Sequence, residues 1–185
     1  MSEAILYSAD GDTETVLAAP GLRVSRTRPV ARFAFRGDAA AAGKAGAAFG
    51  ASLPMTPLAA NQVAARAALW LGPDEWLLLA ADEPPAAIAA GIEAALADVP
   101  HALVDVSERN LALLVEGERA ARLLNTQVFL DLDLAAFPVG MATRTLFAKA
   151  EIILWRLGDE AFAVECWRSF APYIEGLLLE GARGL

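Results

Sequence analysis

The chain has 185 residues, enough for one full-sized domain or for two small halves sharing a core. Its net charge of −8 argues against nucleic acid or an anionic membrane as partner of the domain as a whole. Hydrophobic residues make up 56% and mean hydropathy is +0.42, yet no run approaches the roughly 18–20 uninterrupted apolar residues of a spanning helix. Much of that content is alanine, and an apolar fraction this high points to surface covered by another protein. The lone cysteine, Cys166, excludes an intramolecular disulfide and a multi-thiolate metal site. It falls in an apolar alternation and reads as a buried structural thiol. Met1-Ser2-Glu3-Ala4 is acidic and lacks a signal core, which predicts a cytoplasmic address.

In chain order, residues 1–29 are punctuated by Asp10-Gly11-Asp12, Pro20-Gly21 and Arg28-Pro29 and are predicted to be an N-terminal arm or leader. Arg23, Arg26, Arg28, Arg32 and Arg36 read two ways: an anion-binding or docking strip, or a solvated strand face plus leader. Val30 to Phe35 is predicted as a strand. Asp38 then caps an alanine-rich helix to about Phe49. Residues 50–62, with Pro54 and Pro57, read as an irregular link. Strands follow at Ala64–Leu71 and Glu75–Ala80, then a helix over 84–97 with Ile88, Ile92 and Leu96 inward. His101–Val106 is the next strand. The second half opens with a strand at Leu111–Val115 and a helix at 118–125, and 126–141 is irregular. Strands at Thr143–Phe147, Glu151–Leu157 and Phe162–Trp167 lead to a helix capped by Ser169, with Phe170, Tyr173, Ile174, Leu177 and Leu178 on one side.

These elements are written twice. Phe35-Arg36-Gly37-Asp38 ends a strand and opens a helix, and Val115-Glu116-Gly117-Glu118 does the same eighty positions later. Leu71-Gly72-Pro73-Asp74-Glu75-Trp76 and Leu157-Gly158-Asp159-Glu160-Ala161-Phe162 each join two apolar runs through a polar turn. Self-similarity of this kind predicts architecture. The expected fold class is α+β, with duplicated ferredoxin-like units, antiparallel sheets and helices packed on one face. The expected organisation is a single pseudo-duplicated domain over 30–185, with halves at about 30–107 and 108–185.

Catalytic motifs are sparse. A Ser/His/Asp triad would have to use the one histidine, His101, but no Gly-x-Ser-x-Gly elbow accompanies any serine. His101 therefore reads as a half-exposed strand-edge residue. Asp131-Leu132-Asp133 offers two carboxylates without the further oxygen ligands a hard cation needs. Gly43-Lys44-Ala45 lacks the upstream glycine and the hydroxyl of a phosphate loop. The densest polar cluster is Asp105-Val106-Ser107-Glu108-Arg109-Asn110 at the junction of the halves. It reads either as a ligand or contact cluster, with Asp105, Ser107, Arg109, Asn110 and Arg144, or as a chain reversal. A second polar focus is Trp155-Arg156 with Trp167-Arg168-Ser169-Phe170, residue types enriched at interfaces. Trp155, Arg156, Arg168 and Ser169 are the interface candidates, with the arginines favoured for contact and the tryptophans for core.

Several short stretches together resemble a known family: Leu69-Trp70-Leu71-Gly72-Pro73-Asp74-Glu75-Trp76-Leu77-Leu78, Asp105-Val106-Ser107 with Arg109-Asn110, Leu130-Asp131-Leu132, Phe137-Pro138-Val139-Gly140, Arg144-Thr145 and Arg168-Ser169-Phe170-Ala171. Over about 30–182 the chain is similar to the gamma subunit of heterotetrameric sarcosine oxidase. The resemblance implies a non-catalytic subunit beside alpha, beta and delta partners. That assembly oxidatively demethylates sarcosine to glycine and hydrogen peroxide, the one-carbon unit leaving as formaldehyde or methylene-tetrahydrofolate. FAD, FMN, NAD, zinc and tetrahydrofolate are expected on the other subunits and none on this chain. More distantly, Asp105-Val106-Ser107 and the strand to Val115 resemble the folate-binding domain of the glycine-cleavage aminomethyltransferase. Glu108 stands where that relative commonly has histidine, so its folate roles are not carried over. The alternatives are a stand-alone folate-binding or one-carbon-transfer protein built on Asp105, Ser107, Arg109 and Arg144, and a small regulatory or scaffold domain.

Overall fold

Pro20-Gly21 turns the chain between strands β1 (Glu14–Ala19) and β2 (Leu22–Arg26), with Gly21 at φ +66°, a left-handed value that favours glycine. The structure, a computed structural model, describes residues 6–7 and 13–185. Where the sequence predicts an arm or leader, residues 14–26 form this hairpin. Its physical reason is burial: Leu22 and Val24 lie in a hydrophobic core, and Val16 and Leu17 pack against it. Met1 to Ala4 and Asp10-Gly11-Asp12 lie outside the described residues. The chain divides into two compact units, one containing Pro29–Glu108, the other Tyr7–Arg28 with Arg109–Leu185.

The first unit runs β3 (Ala31–Gly37), α1 (Ala39–Phe49), β4 (Ala60–Val63), β5 (Arg66–Gly72), β6 (Glu75–Ala80), α2 (Pro85–Ala95) and β7 (His101–Asp105). Its antiparallel sheet is ordered β4-β5-β6-β3-β7. Without the edge strand β4, this is the ferredoxin-like order, with the fourth strand beside the first. Asp38 caps α1 by accepting the Ala41 N–H at 2.8 Å, and Gly50 closes it at φ +78°. Ala41, Ala42, Ala45 and Phe49 bury one side of α1 against Phe33, Phe35, Trp76 and Leu78. The Ile88, Ile92 and Leu96 stripe of α2 is buried as its spacing predicts, each side chain contributing about 1.5–3 kcal/mol. The link over 50–62 is less irregular than predicted, since β4 pairs with β5 and the Trp76 indole donates to Pro54 O at 2.7 Å.

The second unit continues with β8 (Asn110–Glu116), α3 (Ala120–Leu124), β9 (Ala142–Phe147), β10 (Ala150–Gly158), β11 (Ala161–Trp167), a 3-10 turn at Arg168–Phe170 and α4 (Ala171–Ala182). Its sheet is ordered β1-β2-β8-β11-β10-β9, antiparallel throughout. Strand β2 holds the place beside β8 that β7 holds beside β3. The repeat also extends to an irregularity, since β5–β6 shifts register between Trp70 and Gly72 and β10–β11 between Arg156 and Gly158. Such bulges add twist just before a turn. Arg26 of β2 makes a two-pronged pair with Glu175 of α4, Nε to Oε1 at 2.6 Å and Nη2 to Oε2 at 2.7 Å, and reaches Glu14 at 2.7 Å. The hydrogen bond to Glu175 raises the Arg26 pKa above its ordinary value.

Two expectations are corrected here. Ser169 does not cap α4; it sits inside the 3-10 turn, and the helix starts from Phe170 with no side-chain cap. The turn takes Phe170 out of the helix, and within α4 the buried arc is Ala171, Ile174, Glu175 and Leu178, which leaves Tyr173 outside it; Phe170 and Tyr173 are exposed. The arginine strip is likewise dispersed. Arg36 pairs with Glu75 at 2.8 Å, and Arg32 is buried and donates to Val30 O at 3.1 Å rather than lying on a solvated face.

Gly117 ties three parts of the second unit together. It stands at φ +109°, its N–H donates to Glu160 O at 2.9 Å, and an added Cβ would lie 2.4 Å from Gly21 O. Gly117→Ala is expected to lower stability by more than about 2 kcal/mol through backbone strain and overlap. Gly43→Ala, in open space in α1, should instead raise it by roughly 0.5–1 kcal/mol. Urea denaturation of both variants tests the contrast.

Candidate functional site

The junction cluster begins where β7 ends. Ser107 closes a tight turn on Asp105, whose Oδ1 accepts from Ser107 N at 2.9 Å and from Ser107 Oγ at 2.6 Å. Ser107 Oγ in turn accepts the Arg32 N–H at 2.9 Å, while Val106 N donates to Arg32 O at 2.8 Å. The hydroxyl therefore extends the β3–β7 ladder by one bond. Its proton is committed to a carboxylate and its lone pair to a backbone amide, an arrangement of a structural serine rather than of an activated nucleophile. His101 is at the other end of β7, four residues from Asp105, or about 13 Å along a strand. Its ring contacts Val99 O at 2.7 Å through Nδ1 and Glu93 at 3.1 Å through Nε2, and stacks on Phe35.

In the second unit, Asn110 opens β8 opposite Trp167 and is buried. Its Oδ1 accepts from Arg109 Nε at 3.1 Å, and the Arg109 guanidinium lies over the Trp167 ring at 5.5 Å. Arg168 N donates to Arg109 O at 2.8 Å. Arg144 is not beside them. It lies exposed on β9, the edge strand, three strand spacings or roughly 14 Å across the sheet from β8, with Glu151 3.7 Å away. The structure thus joins Asp105 to Ser107 and Arg109 to Asn110, and separates Arg144 from Asn110.

Arg156, predicted for an interface, is instead 3% exposed. Its Nη1 donates to Leu132 O at 2.8 Å and Phe137 O at 2.9 Å, Nε donates to Gly158 O at 3.2 Å, and Nη2 donates to Asp159 O. The guanidinium also lies 4.7 Å from the Phe162 ring centre. Desolvation lowers its pKa, against the pull of Asp159 and Asp133. One cation thereby fastens the long segment 126–141, which Asn125 also holds through Val128 O and Leu130 O at 3.1 and 2.6 Å. Trp155 is buried as predicted, edge-on to Tyr7, whose hydroxyl donates to Glu165. Trp167, predicted for the core, is 44% exposed.

Asp131 and Asp133 cap local turns, accepting from Asp133 N and Ala135 N at 2.9 Å each. Among the described residues no group of three or more His, Cys, Asp or Glu side chains is placed to hold a metal, and no helix is long and apolar enough to cross a membrane. Two exposed features escaped the sequence patterns. Phe129 is 88% exposed on the fastened segment, and Trp167, Phe170 and Tyr173 line up along the entry to α4.

Arg156→Leu should cost about 3 kcal/mol or more, because it strands several buried carbonyls. It should also open 126–141 to chymotrypsin, at Phe129 first. Ser107→Ala should cost only about 1 kcal/mol, through the orphaned Arg32 amide. Equal urea midpoints for these two variants would contradict the assignment.

Comparison with known proteins places this geometry. The sarcosine oxidase, gamma subunit family matches residues 36–183. The sarcosine oxidase subunit gamma of Corynebacterium sp. (strain P-1) is 34% identical over 134 residues, 72% of this chain and 65% of that protein, so the match spans just under two thirds of the relative's length. A chain of the heterotetrameric sarcosine oxidase from Corynebacterium sp. U-96, solved with pyrrole 2-carboxylate, superposes with a TM-score of 0.82 at 28% identity, covering 90% of this chain and 86% of that one. The glycine cleavage system aminomethyltransferase T from Bartonella henselae shares the fold, with a TM-score of 0.64 at 14% identity over 85% of this chain and 45% of that one. By the extent of the family match and the agreement of fold, this chain belongs to the sarcosine oxidase gamma subunit family.

Proposed function

We infer that the chain is a non-catalytic subunit of a heterotetrameric sarcosine oxidase. It supports oxidative demethylation of sarcosine to glycine with release of hydrogen peroxide, the one-carbon unit leaving as formaldehyde or methylene-tetrahydrofolate. Alpha, beta and delta subunits are its partners, and FAD, FMN, NAD, zinc and tetrahydrofolate belong to them. The observation that carries this reading is the superposition on a chain of a heterotetrameric sarcosine oxidase over nine tenths of this sequence. The local chemistry supports it. Ser107, Asp105 and Asn110 take part in turn, ladder and neighbour hydrogen bonds, and Arg156 is used up by four backbone carbonyls.

Co-expression of the tagged chain with the alpha, beta and delta subunits of a heterotetrameric sarcosine oxidase tests the reading. A four-subunit complex with sarcosine-dependent peroxide release should co-purify, and omitting this chain should reduce its yield. The chain made alone should show no flavin absorbance and no heat with tetrahydrofolate in calorimetry. Tight tetrahydrofolate binding by the isolated chain, lost on Arg144→Ala, would overturn the reading in favour of a stand-alone folate-binding protein.

A further inference from the structure

Arg109 is exposed, yet it is held in place. Its Nε donates to the buried Asn110 and its guanidinium plane lies over Trp167. These are the only hydrogen-bond, ion-pair and ring contacts of its side chain among the described residues, so neither Nη group of this exposed residue has a carboxylate partner there. Arg26, Arg36 and Arg66, by contrast, each have acidic partners. Trp167 is 6.1 Å from Phe170, and Tyr173 follows three residues on, all three exposed. An arginine stacked on tryptophan beside two more aromatics has the composition of an interface hot spot, and the stacking removes much of the ordering cost of a bidentate contact.

Resting on the assembly reading above, we propose that Arg109, Trp167, Phe170 and Tyr173 form the docking surface for an acidic segment of another subunit of the complex. An aspartate, glutamate or terminal carboxylate of that segment receives the two Nη groups in parallel hydrogen bonds, and a flanking apolar residue covers the aromatic rings. Charge selects the occupant: the guanidinium lacks a carboxylate among the described residues, and the rings supply the apolar contact around it.

The test uses the co-expressed complex. Wild type, Arg109→Glu, Arg109→Lys and Trp167→Ala are purified by a tag on this chain, and partner retention is followed through size exclusion at rising salt. Arg109→Glu and Trp167→Ala should cut retention roughly tenfold or more, Arg109→Lys should fall between, and the salt dependence should weaken once the charge is gone. The thermal midpoint of the chain itself should move by no more than about 2 °C, since these side chains are exposed. A wild-type complex that forms, with Arg109→Glu and Trp167→Ala assembling equally well, would overturn the surface and leave the assembly reading standing. A wild-type chain that retains no partner would remove both. Self-association of the chain alone that depends on Arg109 would make a second copy the occupant and overturn the choice of partner.

Discussion

Each unit is built around its first strand, and that strand needs a neighbour on both edges. In the first unit β3 lies between β6 and β7; in the second β8 lies between β11 and β2. Without β7 or β2 these central strands would each expose a row of unpaired amides and carbonyls beside a hydrophobic core. The pairing of Leu22–Arg26 with β8 is therefore what lets the second sheet exist as a sheet. Gly117 and Gly21 secure it from the turn, and the Arg26–Glu175 pair secures it from α4.

The polar residues then fall into two groups according to what the fold asks of them. Ser107 and Asp105 complete a strand end, and Arg156 gathers the carbonyls of a segment too long to organise itself. These groups are spent on structure. Arg109 has the same chemistry as Arg156 but a different setting, with one local hydrogen bond, a stacking ring and open solvent. A guanidinium is a structural staple when carbonyls converge on it, and it keeps donors for other contacts when they do not.

Much of this was legible in the sequence, for identifiable reasons. The hairpins around Gly72-Pro73-Asp74 and Gly158-Asp159-Glu160 join two short apolar runs through turn residues, and those two signals together mark strand, turn and strand. The Ile88, Ile92 and Leu96 stripe has the helical period. Strand β1 was hidden because its register shifts between Thr15 and Leu17, which breaks the alternation. Strand β4 was hidden because Ala60-Asn61-Gln62-Val63 has no alternation and follows a proline-rich link. The burial of Arg156 depends on carbonyls about twenty residues upstream, which no local pattern encodes. The exposure of Tyr173 follows from which arc of α4 the sheet covers, Ala171, Ile174, Glu175 and Leu178 rather than the arc that includes Tyr173.

The placement of β2 also bears on how the protein comes into being. Pro29–Glu108 is continuous in the chain and can close its sheet as soon as it leaves the ribosome. The strands at 14–26 are synthesised before it but find their partner only once 110–116 has emerged, more than eighty residues later. Closing so long a loop slows the step without greatly penalising its equilibrium. During synthesis the β1–β2 hairpin is thus left with an unpaired edge while the first unit matures. Strands β1 and β2 precede Pro29–Glu108 in synthesis, yet the second sheet can close only after β8 has followed it.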